Sequence, residues 1–486
     1  MAFLRHRTGQ TLVLLLVAFA IRSQLFGNPV IHSDEQFYLL VGDRLLHGAW
    51  PFVDIFDRKP VGLFLIFAAI RVLGGDGIMM YQIVAAIVSA ATAVLVGRIT
   101  RRLIPADTSP ASAALAGLGA GLVYLVWLIV FDGAGGQSAV WGNALMAGAA
   151  LFLLGKGSTD SRHTTRGVAA MLLVGLAMQV KYTALFEGIF FGLVLLKQSY
   201  AQRHSVARLV GDAALWVAAA LVPTAAAWTV YALAGHNAAF VFANFVSIFG
   251  QRSDDGIASS LMQLGGAIAL SAPLVMLAWR SRKDSVFALA WLAAAGAAVV
   301  AMHHFELLYF LPVALPLAVA AGTGLAHRPV GLAWRWLFAV LLFGMLAATI
   351  LTSIRVARRG TAPQVATLVR LIGQQPRGCL FAFGSEPILY YLTRSCLPTP
   401  YIFRSHLSRM AETHGLGIDP TTETARLLAS QPGVIVVRAS KSDTNPATRA
   451  LVAAAIARRY RLVGIVKVGA LPHTVYRLNA TAPATP

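Results

Sequence analysis

Acidic residues are scarce in this chain. It has 20 Asp and Glu among 486 residues against 40 Lys and Arg, and charged residues of both signs make up only 12%. Soluble domains carry about twice that fraction, so a soluble enzyme and a disordered chain are both excluded. Two cysteines, Cys379 and Cys396, cannot staple a chain of this length, which excludes a disulfide scaffold. Neither a GxGxxG nor a P-loop stretch is present, so no nucleotide fingerprint is available. Internal repeats, a common mark of transporter folds, are missing as well. A net charge of +20 with a pI near 10.7 points first to nucleic acid. Polyanion binders, however, carry their cations on polar surfaces, and here 57% of residues are hydrophobic.

Those hydrophobic residues come in long runs. A spanning helix needs about 20 mostly apolar residues, and eleven stretches qualify: about 8–27, 78–98, 112–131, 137–155, 167–180, 182–197, 212–234, 259–279, 286–302, 305–325 and 332–354. The chain reads as a polytopic α-helical membrane protein with about 11 transmembrane helices and a C-terminal soluble α/β domain. The transmembrane catalytic domain is expected over 1–354, with a first outer loop at 28–77, and the exported domain over 355–486. With the N-terminus in the cytoplasm, the inner loops hold sixteen Lys and Arg against seven outside; cations favour the cytoplasmic side. Eleven crossings then put the C-terminal domain outside, in the periplasm of a bacterial inner membrane protein. Arg5 and Arg7 before the apolar run to Ala18-Phe19-Ala20 also fit a signal peptide, whose removal leaves the remaining topology unchanged. Residues 61–75 are too short to cross and are expected flat on the outer face.

The loop at 28–77 holds six of the twenty acids: Asp34, Glu35, Asp43, Asp54, Asp57 and Asp76. Ser33 followed by Gln36 has the capping-box pattern, which predicts a helix from Asp34 to about His47, ended by Gly48. Phe37, Leu40, Val41 and Leu45 share one face, so this helix is expected to be amphipathic and to lie on the membrane. Asp34 and Glu35 in its first turn are either dipole-stabilised caps or catalytic acids. Further on, the stretch Trp50 to Pro60 places Asp54, Asp57, Arg58 and Lys59 among aromatics. Arg58 and Lys59 suit a phosphate, or a headgroup interface reached by snorkelling.

The ordered set Asp34-Glu35, Tyr38, Gly42, Gly48, Pro51, Asp54 and Lys59-Pro60 resembles the first periplasmic loop of bacterial GT-C glycosyltransferases. This group includes the 4-amino-arabinose transferases of lipid A and the rhizobial lipopolysaccharide-core sugar transferases, and is related to the protein mannosyltransferases. Gly175-Leu176-Ala177 with Lys181 and Thr183, His304 with Tyr309 and Pro312, and Phe381-Ala382-Phe383-Gly384 with Tyr390, Tyr391 and Tyr401 are similar to later segments of that group. The resemblance implies a GT-C fold and transfer of a hexosyl or pentosyl unit from a polyprenyl-phosphate donor to an anionic envelope glycolipid or glycan acceptor. It implies Asp34, or its neighbour Glu35, as catalytic acid, with Lys59, Arg58 and Lys181 at the donor phosphate and Tyr38, Asp54, Asp57, Asp132 and His304 in support. Two departures stand out. Lys59-Pro60 is followed by Val61 where many members have a second proline. Where many carry a Glu, this chain has Gly136 to Asn143, leaving Asp132 as the nearby carboxylate.

Lys181 lies between two short apolar stretches, either as an intramembrane cation with a function or as a surface turn. Glu187 is a candidate partner for it. His303, His304 and Glu306 are ligand-type residues whose spacing matches no metal motif, so no cofactor is assigned and a divalent cation stays open. Residues 355–486 alternate strand-like runs (Cys379–Phe383, Val434–Val437, Leu462–Val468, Thr474–Leu478) with a helix-like stretch, Pro446 to Arg459. They hold 17 cations and five acids, which suits an anionic partner. A polytopic transporter or lipid flippase is the alternative from another class, and an envelope scaffold a third.

Overall fold

The computed structural model describes residues 6–155, 160–202, 204–250, 256–279, 283–439 and 443–479. Six cations used in the orientation argument, Arg5, Lys156, Arg203, Arg252, Arg280 and Arg282, lie outside the described residues. The chain divides into two compact units. One comprises Met1–Phe26, Gln82–Thr229 and Asp255–Thr352; the other comprises Gly27–Tyr81, Val230–Asp254 and Ser353–Pro486.

Among the described residues, the regular secondary structure of the first unit is all helix, which satisfies the backbone polar groups of its long apolar runs within each segment. Each of the eleven expected stretches overlaps a helix, although 305–325 divides into a 3₁₀ turn at Leu307–Phe310 and the helix Ala314–Ala326. Among the described residues, seven helices are long and apolar enough to cross a membrane: Arg7–Leu25, Gly77–Leu103, Pro110–Val130, Ala184–Ala201, Val206–Leu233, Ile257–Trp279 and Val330–Ile372. The protein is thus a multi-pass membrane protein. The Gly- and Ala-rich Pro110–Val130 helix packs closely on its neighbours, as small residues allow. A Cβ on Gly97 would meet the Gly117 carbonyl oxygen at 2.6 Å, so the two backbones nearly touch there. Arg22, expected in an outer loop, is buried in this unit. Its guanidinium donates to the carbonyls of Ala18 at 3.1 Å and Ala134 at 3.0 Å and to Ser89 Oγ at 3.1 Å. It thereby holds the turn that follows Asp132.

The second unit joins the 27–81 loop to the C-terminal stretch. Its sheet has the order β1 (Leu380–Phe383), β2 (Val434–Arg438), β4 (Leu471–Leu478), β3 (Tyr460–Val468), with β1 parallel to β2 and the other pairs antiparallel. The strands expected from sequence are those found, as is the Pro446–Arg459 helix, capped by Asn445. Phe381, Phe383, Leu427, Ile435, Val452 and Tyr460 belong to its apolar core. Strand β1 is an edge, and its outward N–H groups are covered by side chains: Leu380 N–H donates to Ser395 Oγ at 2.8 Å and Ala382 N–H to the Tyr390 hydroxyl at 3.0 Å. Such cover keeps an edge from recruiting another strand. Cys379 and Cys396 form a disulfide across this corner, with Cα atoms 5.0 Å apart.

Two helices of the 27–81 segment pack on this domain's side of the unit, and the first departs from the sequence reading. The Ser33–Leu45 helix is capped by His32, whose Nδ1 accepts from the Asp34 N–H at 3.2 Å; the Ser33–Gln36 capping box does not form, because the Gln36 side chain is used elsewhere. Rather than an amphipathic surface helix, it is buried on nearly all sides from Ser33 to Gly42. Within residues 61–75, Val61–Val72 forms a twelve-residue helix, shorter than a membrane span, which packs against it. Gly42 makes this possible: a Cβ there would sit 2.7 Å from the Ala68 nitrogen. Arg71 Nε donates to Asp43 Oδ1 at 3.1 Å, locking the pair.

Charged side chains fasten the rest. Arg58 Nη1 donates to Glu412 Oε2 at 2.7 Å. Glu386 receives Arg438 at 2.9 Å, with Arg404 at 3.6 Å. Burial works to raise both glutamates, but the facing arginines outweigh it and hold them below the usual carboxylate value. Burial also pushes His406 down to about 3 and His473 down to about 4.

Two outcomes follow for the full-length protein in detergent. Replacing Cys379 and Cys396 by alanine releases a loop of about 17 residues and should cost about 3 kcal/mol, read as a lowered thermal midpoint that reductant reproduces on the unaltered protein. The histidines fix the pH response. Their folded-state pKa values lie below the ordinary 6.5, so between 6.5 and 4 the unfolded chain binds more protons and stability falls as pH falls. Below about 4.5, protonation of Glu386 and Glu412 adds to the loss. The midpoint should decline continuously from pH 6.5 to 4, and His473→Gln should flatten the upper part of that decline.

Candidate functional site

The candidate site is built on the N-terminus of the Ser33–Leu45 helix and the 50–60 loop, both in the second unit. His32 caps the helix and lies 3.9 Å from the Asp34 carboxylate, whose side chain keeps 22% of its surface accessible. Glu35, one residue on, is fully buried. Of the acid pair, Asp34 is therefore the one presented to solvent, and Glu35 belongs to the interior.

The loop owes its shape to a local turn and to aromatic anchors. Asp54 Oδ2 accepts from the Trp50 N–H at 2.7 Å, and Phe52 N–H donates to the Ile55 carbonyl at 2.7 Å, with Phe52 itself at φ +72°. Asp54 thus locks the turn from an exposed position. Phe56 sits between Tyr401 and His406, each 5.4 Å away, and its N–H donates to the Pro400 carbonyl at 3.0 Å. Beyond this anchor come Asp57, Arg58 and Lys59, all half-buried.

These three residues have different roles in the fold. Arg58 gives Nε to Ser247 Oγ at 2.7 Å and Nη1 to Glu412, so two of its nitrogens are taken by internal contacts. Arg58 thus also fastens the loop internally, through Nε and Nη1, while Lys59 follows it on the same half-buried stretch. Asp57 accepts from the Arg58 N–H at 2.5 Å. Burial pushes its carboxyl above the ordinary value, with Lys59 and Arg58 working against the rise and the Asp34 charge adding to it. Asp57 therefore stands close enough to both Lys59 and Asp34 to feel their charges. Tyr38 is buried against the rings of Phe64 and Phe67, at 6.2 and 5.6 Å, and supports the helix from its packed side.

The remaining sequence candidates belong to the first unit. Lys181 lies in the turn between the Asp160–Met178 and Ala184–Ala201 helices, its Nζ 5.0 Å from the Tyr309 ring. That ring is stacked on His304 at 5.0 Å. The motif residues Lys181, His304 and Tyr309, far apart in sequence, thus form one cluster. Glu187, the suggested partner of Lys181, is buried, and its Oε1 accepts from Trp291 Nε1 at 2.5 Å. Asp132 is buried at a left-handed backbone position, φ +69°. Among the described residues no three His, Cys, Asp or Glu side chains gather where they could hold a metal ion.

Sequence reasoning missed His406, Glu412, Glu386 and Gln36 as neighbours of this site. Their partners lie 350 or so residues away, and nothing local in the sequence signals such pairs.

Comparison with known proteins agrees with this architecture. ArnT from Cupriavidus metallidurans bound to undecaprenyl phosphate superposes with a TM-score of 0.69 over 98% of this chain and 99% of its own, at 14% identity. The same protein in the apo state gives 0.67 over 96% and 98%, at 16% identity. The Archaeoglobus fulgidus oligosaccharyltransferase in complex with Zn and sulfate is matched at a TM-score of 0.43 over 74% of this chain and 55% of its own, too weakly to carry an argument. No protein-family model and no curated protein sequence matches. What these superpositions establish is the fold: the chain has the GT-C architecture of ArnT along nearly its whole length.

Proposed function

We propose that the protein is an integral-membrane glycosyltransferase that moves a sugar from a polyprenyl-phosphate donor to an envelope glycolipid or glycan on the outer face of a bacterial inner membrane. The observation that carries this reading is the grouping of an accessible Asp34 with Asp57 and Lys59, on a fold shared with a protein that binds undecaprenyl phosphate. Asp34 takes the proton of the acceptor hydroxyl as that oxygen bonds to the anomeric carbon. The bond from that carbon to the phosphate oxygen breaks with its electron pair, and Lys59 stabilises the charge gathering on the lipid phosphate. Lys181, with Tyr309 and His304 beside it, is a second candidate for that phosphate. A single displacement inverts the anomeric centre. The C-terminal domain, with 17 cations to five acids over 355–486, suits an anionic acceptor, and an N-terminus in the cytoplasm places that domain in the periplasm.

The test is transfer in reconstituted liposomes, using lipid-linked sugars extracted from the host's membranes and its envelope glycolipids as acceptor. A deletion strain lacking one sugar, seen by mass spectrometry of its envelope, identifies the product to follow. Asp34→Asn should lower turnover by about 10²- to 10⁴-fold and Lys59→Ala by about 10²-fold, with the thermal midpoint little changed. Full activity of Asp34→Asn would remove the base assignment. Asp57→Asn takes a like charge from beside Asp34, so the acid limb of the rate profile should move to lower pH.

A further inference from the structure

Gln36 is the third residue of the helix turn that carries Asp34 and Glu35, and it is 1% exposed. Both ends of its amide are used by the C-terminal domain. Nε2 donates to Glu386 Oε2 at 3.0 Å, and Oε1 accepts from the Ile388 N–H at 3.3 Å. The other oxygen of Glu386 receives Arg438 Nη1 at 2.9 Å, from the end of strand β2. The next residue, Phe37, meets Phe403 edge-on, with ring centroids 5.1 Å apart. A continuous line of contacts therefore runs from the central sheet through Arg438 and Glu386 to the turn that presents Asp34.

A buried amide that satisfies donor and acceptor on one partner is a directional clamp, since rotating or sliding the helix would leave both groups buried and unpaired. Hydrophobic packing alone fixes a helix less sharply, because apolar contacts have no direction. The clamp also sits two residues from the carboxylate, so any slack in it is passed to Asp34 almost undiminished. Glu386 is suited to the task because Arg438 and Arg404 keep it ionised and in place.

We propose that Gln36 and Glu386 are positioning residues, through which the C-terminal domain sets the place of the Asp34 carboxylate. This rests on the assignment of Asp34 as base made above. It gives the C-terminal domain a part in the reaction beyond meeting an acceptor.

The test uses the full-length protein in nanodiscs, with the lipid-linked sugar extract as donor. Gln36→Ala should slow turnover about 10- to 100-fold, with half-saturation within about twofold of the unaltered protein. Hydrogen exchange over residues 33–42 should quicken while the sheet strands are unaffected. Glu386→Gln keeps an acceptor for the Gln36 amide but strands Arg438, so it should lower the thermal midpoint while, measured below that midpoint, retaining most of the turnover. Combining it with Gln36→Ala should slow turnover no more than Gln36→Ala alone, as expected for one shared contact. Wild-type turnover in Gln36→Ala, in a preparation where Asp34→Asn is inactive, would overturn the positioning role and leave the base assignment standing. A loss of turnover matched by exchange quickening across the whole domain, with no sparing in Glu386→Gln, would make the contact merely structural and overturn it too. Full activity of Asp34→Asn would instead remove the base itself, and the positioning role with it.

Discussion

A charge taken out of water must meet an opposite charge, and in the second unit that requirement joins segments far apart in the chain. Arg58 is half-buried in the first loop and reaches Glu412. Glu386 is buried beside its sheet and gathers Arg438, Arg404 and Gln36. Removing one member of such a pair strands the other at a cost of about 3–5 kcal/mol, so these contacts are close to obligatory once the surrounding apolar groups have packed. The 50–60 loop, closed locally by Asp54, is therefore also tied to the C-terminal stretch through Phe56 and Arg58.

The chemistry of the site follows from the same constraint. Asp34 sits at a helix N-terminus that is clamped from two sides, by Gly42 against the Val61–Val72 helix and by Gln36 against Glu386. With its backbone immobilised, the carboxylate remains partly open to solvent, whereas Glu35 next to it is sealed. Arg58 and Asp54 hold the loop, and Asp57 and Lys59 occupy the stretch between those anchors. A reactive set on a loop needs such a frame, because a loop held only by its own turns would not keep its groups in place.

Much of the architecture was legible in the sequence for a simple reason. Runs of apolar residues and period-two alternation report local environment, so the helices of the first unit and all four strands of the tail appear where they are expected. Errors arose where local patterns had competitors. Ser33 and Gln36 match a capping box, yet Gln36 finds better partners on Glu386 and Ile388, and His32 takes over the cap. Phe37, Leu40, Val41 and Leu45 suggest an amphipathic face, yet Ser33, Glu35 and Gln36 outside that face are buried too.

By itself the sequence determined that the chain lives in a membrane, roughly where its strands and most of its helices lie, and which residues between Asp34 and Lys59 are candidates for its chemistry. These are properties of composition, periodicity and short motifs. Only the tertiary structure decided which acid of the pair is exposed, that Arg58 anchors while Lys59 remains beside Asp57, that Cys379 bonds Cys396, and that Lys181, Tyr309 and His304 meet. Each of these depends on which distant segment arrives to satisfy a buried charge, a sulfur or a ring, and a linear reading carries no measure of that distance.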